Sequence, residues 1–164
     1  MKLNIPFLPV LSLSVGIVGP AFAAEIACPD LSAAVQVAPC PSEEELRYIY
    51  NGYCGEDARM YAKGKDVDTC VRYENYRQLK NIALWEAGRG EFQAYVSCDL
   101  DPAAVKAAKP VKIVVGTANK LTRVACEYGD NITFVHRMRA ACKVGGPAHG
   151  MGECSGVACK AECE

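Results

Sequence analysis

Three groups of residues have types and spacing that could do chemistry. His136 and Glu127 share a stretch with Arg123, Arg137 and Arg139, the set with which secreted ribonucleases attack a phosphodiester. That reaction needs its base and its acid to reach the same phosphate. His149, Cys154, Cys159 and Cys163 have soft-metal ligand types, and their cysteine gaps just touch the C-x2–4-C range of zinc sites. Asn131-Ile132-Thr133 matches the N-glycosylation acceptor pattern. The chain has no Gly-rich phosphate loop, G-x-S-x-G, H-E-x-x-H or C-x-x-C. The motif-borne nucleotide, hydrolase, metalloprotease and thioredoxin-like chemistries therefore have no carrier here.

Whether the first group can act together depends on the strands that hold it. Residues 121–128 and 132–143 read as two strands around Gly129-Asp130-Asn131. Val124, Cys126 and Tyr128 must share a face with Ile132, Phe134, His136 and Met138. Pairing 128 with 132 achieves this, whereas a two-residue loop would send the two apolar sets to opposite faces. A three-residue loop with Asn131 in the left-handed region is the expected turn. In this register Arg123 stands opposite Arg137, with Arg139 further along and Lys120 and Lys143 at the ends. Glu127 points with the arginines and His136 points into the apolar side as a core histidine. Strand alternation thus separates the acid from the base, and the expectation is a chain that is not an enzyme.

The remaining elements are read in the same way. Ser42 and Glu45 form a capping box, and Leu46, Ile49, Tyr50 and Tyr53 make one apolar helical stripe that ends at Cys54-Gly55. Residues 55–68 are a polar loop. Val71 to Ala87 fits a helix closed by Gly88, against a competing strand at Ile82–Trp85 that turns through Gly88-Arg89-Gly90. Phe92, Ala94, Val96 and Cys98 alternate with Gln93, Tyr95 and Ser97 as a half-buried strand. Asp101-Pro102 starts a short helix through Ala108, and Val111, Ile113 and Val115 begin a strand that ends near Gly116. The expected fold class is α+β: an antiparallel sheet of about four strands with helices packed on one side, stapled by disulfides.

The chain of 164 residues is 51% hydrophobic and 23% charged, with a formal charge of −1. That composition belongs to one folded domain and gives no field to attract nucleic acid or an anionic membrane. Met1-Lys2, the apolar run Ile5 to Val18 and Ala21-Phe22-Ala23 have the layout of a secretory signal peptide. The run is too short to span a bilayer core of ~30 Å. The expected organisation is a signal peptide over residues 1–23, a cysteine-rich domain over 24–143 and a Gly/Cys-rich tail over 144–164. All ten cysteines lie beyond residue 23: Cys28, Cys40, Cys54, Cys70, Cys98, Cys126, Cys142, Cys154, Cys159 and Cys163. An even set in a small exported chain reads as disulfides rather than metal ligands, and spacing leaves the connectivity open.

Together the leader, the paired cysteines and the strand segment His136-Arg137-Met138-Arg139 resemble the small secreted cysteine-rich effectors of plant-pathogenic fungi. The similarity is to the Leptosphaeria avirulence-suppressing group. Some members carry an aromatic or histidine, then Arg, an aromatic, and Arg or Lys in one strand; Met138 stands here in place of the second aromatic. The resemblance implies a four-stranded antiparallel sheet and a secreted, extracellular protein that can enter host cells. It implies a non-enzymatic virulence protein that binds a host protein, dampens plant defence and in some hosts is detected by a resistance protein, a plant immune receptor being met indirectly; a monomer without cofactor or metal is expected. The residues it carries over are Arg137 and Arg139, to which the register argument adds Arg123. The alternatives are a bacterial periplasmic or secreted protein-binding module of inhibitor or immunity type and, less favoured, a ribonuclease-like enzyme.

Overall fold

The structure, a computed structural model, describes residues 24–55, 67–145, 153–155 and 159–164. The expected leader, most of the 55–68 loop and His149 lie outside these residues. The described part is α+β with antiparallel sheets, as the alternating patterns require. The sheets are larger than the expected four strands. One has seven strands in the order β2 (Val35–Gln36), β3 (Ile82–Ala87), β4 (Phe92–Ser97), β7 (Thr133–Met138), β6 (Leu121–Glu127), β5 (Lys112–Ala118) and β9 (Glu153–Ser155). The other runs β1 (Ala24–Ala27), β10 (Lys160–Cys163), β8 (Cys142–Gly145). The added strands β1, β2, β9 and β10 hold two to four residues each. Segments that short show no period of two, and pairing with distant strands is what makes them strands.

The helices are α1 (Glu43–Cys54), α2 (Val67–Val71), α3 (Tyr73–Lys80) and α4 (Pro102–Ala107). The capping box of α1 is present: Glu45 N–H donates to Ser42 Oγ at 3.2 Å and Ser42 N–H to Glu45 Oε2 at 2.7 Å. Leu46 is buried and Tyr50 meets Tyr73 and Tyr76 edge-on, whereas Ile49, expected in the same stripe, faces water. Asp101 caps α4 by accepting from Ala103 N–H at 2.9 Å, and Val105 enters the main core beside Leu31. The expectation of helices layered on one side therefore needs correction. Among the described helices only α4 adds to the main core, and α1, α2 and α3 pack chiefly on one another through their tyrosines and the Cys54–Cys70 bridge.

The expected helix over Val71–Ala87 is also corrected: it stops at Lys80, and Ile82–Ala87 is β3. The run Ile82-Ala83-Leu84-Trp85 is apolar throughout, so its pattern fits either element. Asn81 decides the break. Its carbonyl accepts from Cys98 N–H at 2.9 Å and its amide donates to Asp99 Oδ1 at 2.9 Å, both contacts far along the chain. β3 then buries Ala83, Trp85 and Ala87, and the chain turns through Gly88, Arg89 and Gly90, all at positive φ.

The β6–β7 register is the expected one. Arg123 pairs with Arg137, Val124 with His136 and Glu127 with Thr133, and Tyr128 N–H donates to Ile132 O at 2.9 Å. Gly129, Asp130 and Asn131 all have positive φ, so the turn uses three left-handed residues rather than one. The strand expected over 132–143 is broken. β7 ends at Met138, the chain bends at Arg139 and Ala140, and β8 joins the other sheet. The buried Thr122 hydroxyl donates to Ala140 O at 2.6 Å and holds that bend.

The core lies between the inner face of the seven-stranded sheet and the three-stranded sheet. Trp85, Phe92, Val96, Ile113, Val124 and Phe134 come from the former and Ala161 and Cys163 from the latter. Five disulfides pair all ten cysteines: Cys28–Cys126, Cys40–Cys98, Cys54–Cys70, Cys142–Cys163 and Cys154–Cys159. Such a framework fits an oxidising, extracellular setting. Among the described residues no helix is long and apolar enough to cross a membrane.

Candidate functional site: the open face of the large sheet

Side chains alternate across a strand, so every second residue of β3 to β7 points away from the core. On this outer face stand Leu84 and Glu86 of β3, Gln93 and Tyr95 of β4, Val135 and Arg137 of β7, and Arg123, Ala125 and Glu127 of β6; at its centre the paired Ala125 and Val135 are buried, and the exposed residues lie around them. The face has two regions of different chemistry.

One region is basic. Arg123 and Arg137 are exposed and directly opposite each other, an arrangement that costs a few tenths of a kcal/mol by like-charge repulsion. Lys120, in the Asn119-Lys120 turn between β5 and β6, and Arg139, in the bend after β7, flank the pair at the same end of the sheet. Among the described residues none of these four side chains has an ion pair or side-chain hydrogen bond. Arg139 was expected further along the strand face; it lies instead beyond the last β6–β7 pair, Thr122 with Met138. Lys143 leaves the cluster. It sits on β8, with its ammonium 3.6 Å from the Glu162 carboxylate.

The other region is apolar. Leu84 and Tyr95 form a cross-strand pair with Tyr95 69% exposed, and at the sheet edge Val35 and Val37 are 60% and 52% exposed. Val35 pairs with Glu86, and Val37 N–H donates to Leu84 O at 2.8 Å, which brings both valines beside the pair. Sequence reasoning did not select these residues as a site. Tyr95 was readable, because an aromatic out of phase with Phe92, Ala94 and Val96 must face outward. Val35 and Val37 were not, because β2 exists only through its pairing with β3.

The ribonuclease-like set is not brought together. Glu127 lies on the outer face, whereas His136 is half-buried on the core side, stacked at 5.3 Å on Phe92 with Nδ1 2.7 Å from Glu91 O. The soft-metal set is likewise dismantled: Cys154 bonds Cys159 and Cys163 bonds Cys142, so none is a free thiolate. Among the described residues no group of three or more His, Cys, Asp and Glu could hold a metal ion.

The strongest charge network is structural. Arg77 of α3 grips Asp99 with two parallel bonds of 2.9 and 3.1 Å and reaches Glu43 of α1 with Nε at 3.2 Å. Hydrogen bonds from Arg77 first, then its charge and the Asn81 amide, hold the Asp99 carboxyl below the usual range. The Cys40–Cys98 bridge reinforces this junction between helices and sheet. Comparison of the chain with family models, curated proteins and solved structures returns no match.

Proposed function

We propose that the chain is a secreted, disulfide-stapled effector that binds a host protein through the open face of its large sheet and thereby dampens plant defence. The observation that carries this reading is the Arg123–Arg137 pair. Two exposed cations are held opposite each other, without an acidic partner among the described residues, on the same outer face as half-buried Leu84 and exposed Tyr95, which lie toward the Thr133 end of the sheet. Aromatic and arginine side chains are the residues that anchor protein interfaces. An acidic partner surface with an apolar contact would relieve the repulsion and cover the apolar region. The disulfides support export, and the leader and the His136-Arg137-Met138-Arg139 segment support the effector class.

The test is secretion of the chain from leaf tissue, followed by measurement of the oxidative burst after a defence elicitor. The wild-type chain should lower the burst, and the Arg123→Glu/Arg137→Glu double variant, accumulated to the same level, should not. No suppression by the wild type, or equal suppression by both, overturns the proposal.

A further inference from the structure

The sequon Asn131-Ile132-Thr133 is the chain's single N-x-S/T match, and the structure presents it as an acceptor. Asn131 occupies the last position of the β6–β7 turn, exposed, at φ 59°. Its side-chain amide has no hydrogen-bond partner among the described residues. Ile132 is buried and Thr133 opens β7 opposite Glu127, so the fold anchors the residues after Asn131 and leaves the asparagine itself projecting. Asn131 is exposed and stands outside the core cluster, so a bulky substituent there displaces no core contact.

We propose that Asn131 is an N-glycan acceptor, a reading that rests on export through a eukaryotic secretory route. The donor is an oligosaccharide carried on a lipid pyrophosphate. The Asn131 Nδ2 nitrogen forms a bond to the anomeric carbon, the bond from that carbon to the pyrophosphate oxygen breaks, and the amide proton leaves with the lipid pyrophosphate. No electron is exchanged with any other reactant.

The position also leaves the basic pair of the proposed binding face clear, while Tyr95 lies nearer the turn, level with Thr133 in the β4–β7 register. Arg123 and Arg137 lie four residue pairs up the hairpin from Glu127 and Thr133, roughly 13 Å along the strands at ~3.3 Å per residue. A glycan at the turn extends from the opposite end of the hairpin and leaves the basic pair open.

The experiment expresses the full chain in a eukaryotic secretory host, once with its own leader and once behind a second leader of established function. Exported protein should lose mass on treatment with a peptide-N-glycanase, with deamidation mapped to residue 131. The shift should vanish in Thr133→Ala and persist in Thr133→Ser, which keeps the hydroxyl the acceptor pattern requires. Should Thr133→Ala fail to fold, Asn131→Asp offers a second loss at a turn position that tolerates aspartate. Exported protein of unmodified mass overturns the acceptor assignment. Export only behind the added leader overturns the export reading, while the mass of that form still decides the acceptor.

Discussion

Arg123 and Arg137 face each other across the β6–β7 pair with no acid between them. The arrangement is mildly unfavourable in the isolated protein, and it gives a prediction in which stability and binding move in opposite directions. Arg137→Glu replaces a like-charge pair by an opposite-charge one, worth about 0.2–1 kcal/mol across a strand pair. The variant should therefore melt slightly higher in a thermal scan while losing suppression of the oxidative burst. A variant that melts higher and keeps its activity would remove this pair from the binding face.

The disulfides should differ in weight by the length of chain they close. Cys28–Cys126 spans 98 residues and Cys54–Cys70 spans 16. Loop-closure entropy assigns about 4.7 kcal/mol to a loop near the first length and about 3 kcal/mol to one near the second. Urea titration of the paired alanine variants should give the larger loss for the Cys28/Cys126 pair. Loss of the Cys54/Cys70 bridge should release the tyrosine-packed helices first, since those helices stand largely outside the main core.

Asp99 makes acid stability depend on the helix–sheet junction. Its carboxyl is depressed in the folded chain, so it stabilises above the ordinary carboxylate range and that contribution is lost as pH falls through the folded value. Melting temperature should decline on acidification below the usual aspartate range near 4. In Asp99→Asn, which keeps the shape and removes the charge, that decline should be shallower. Carboxyl NMR titration checks the direction independently, and an Asp99 value at or above the ordinary one would contradict the geometry.

Among the described residues Phe134 is the largest fully buried side chain, and it meets Tyr128 edge-on at 5.8 Å. Phe134→Ala should cost about 3–5 kcal/mol, as large-to-small changes in a closed core do. Tyr128→Phe should cost about 1 kcal/mol by removing the 2.6 Å bond to the Pro29 carbonyl. Denaturant midpoints at constant slope would check both.

Much of the fold was legible because its signals are local or self-consistent. The Ser42–Glu45 box, the Asp101-Pro102 start and the β6–β7 register each follow from a handful of neighbouring residues. Even the Arg123–Arg137 opposition came from the sequence, since only one register puts both apolar sets on one face. The ten cysteines likewise announced a disulfide framework without announcing its partners.

Tertiary structure decided what depends on distant partners. Helix or strand at Ile82–Trp85 was settled by Asn81 meeting Cys98 and Asp99, and the end of β7 by Thr122 holding the carbonyl of Ala140. The short strands β1, β2, β9 and β10 have too few residues for a period and form only where another strand offers hydrogen bonds. For the same reason the Val35–Val37 edge, next to Leu84 and Tyr95, could not be assembled from the sequence. Local pattern sets which face of an element is apolar, but which elements meet is a matter of long-range pairing, and that pairing creates the open face on which the proposed function depends.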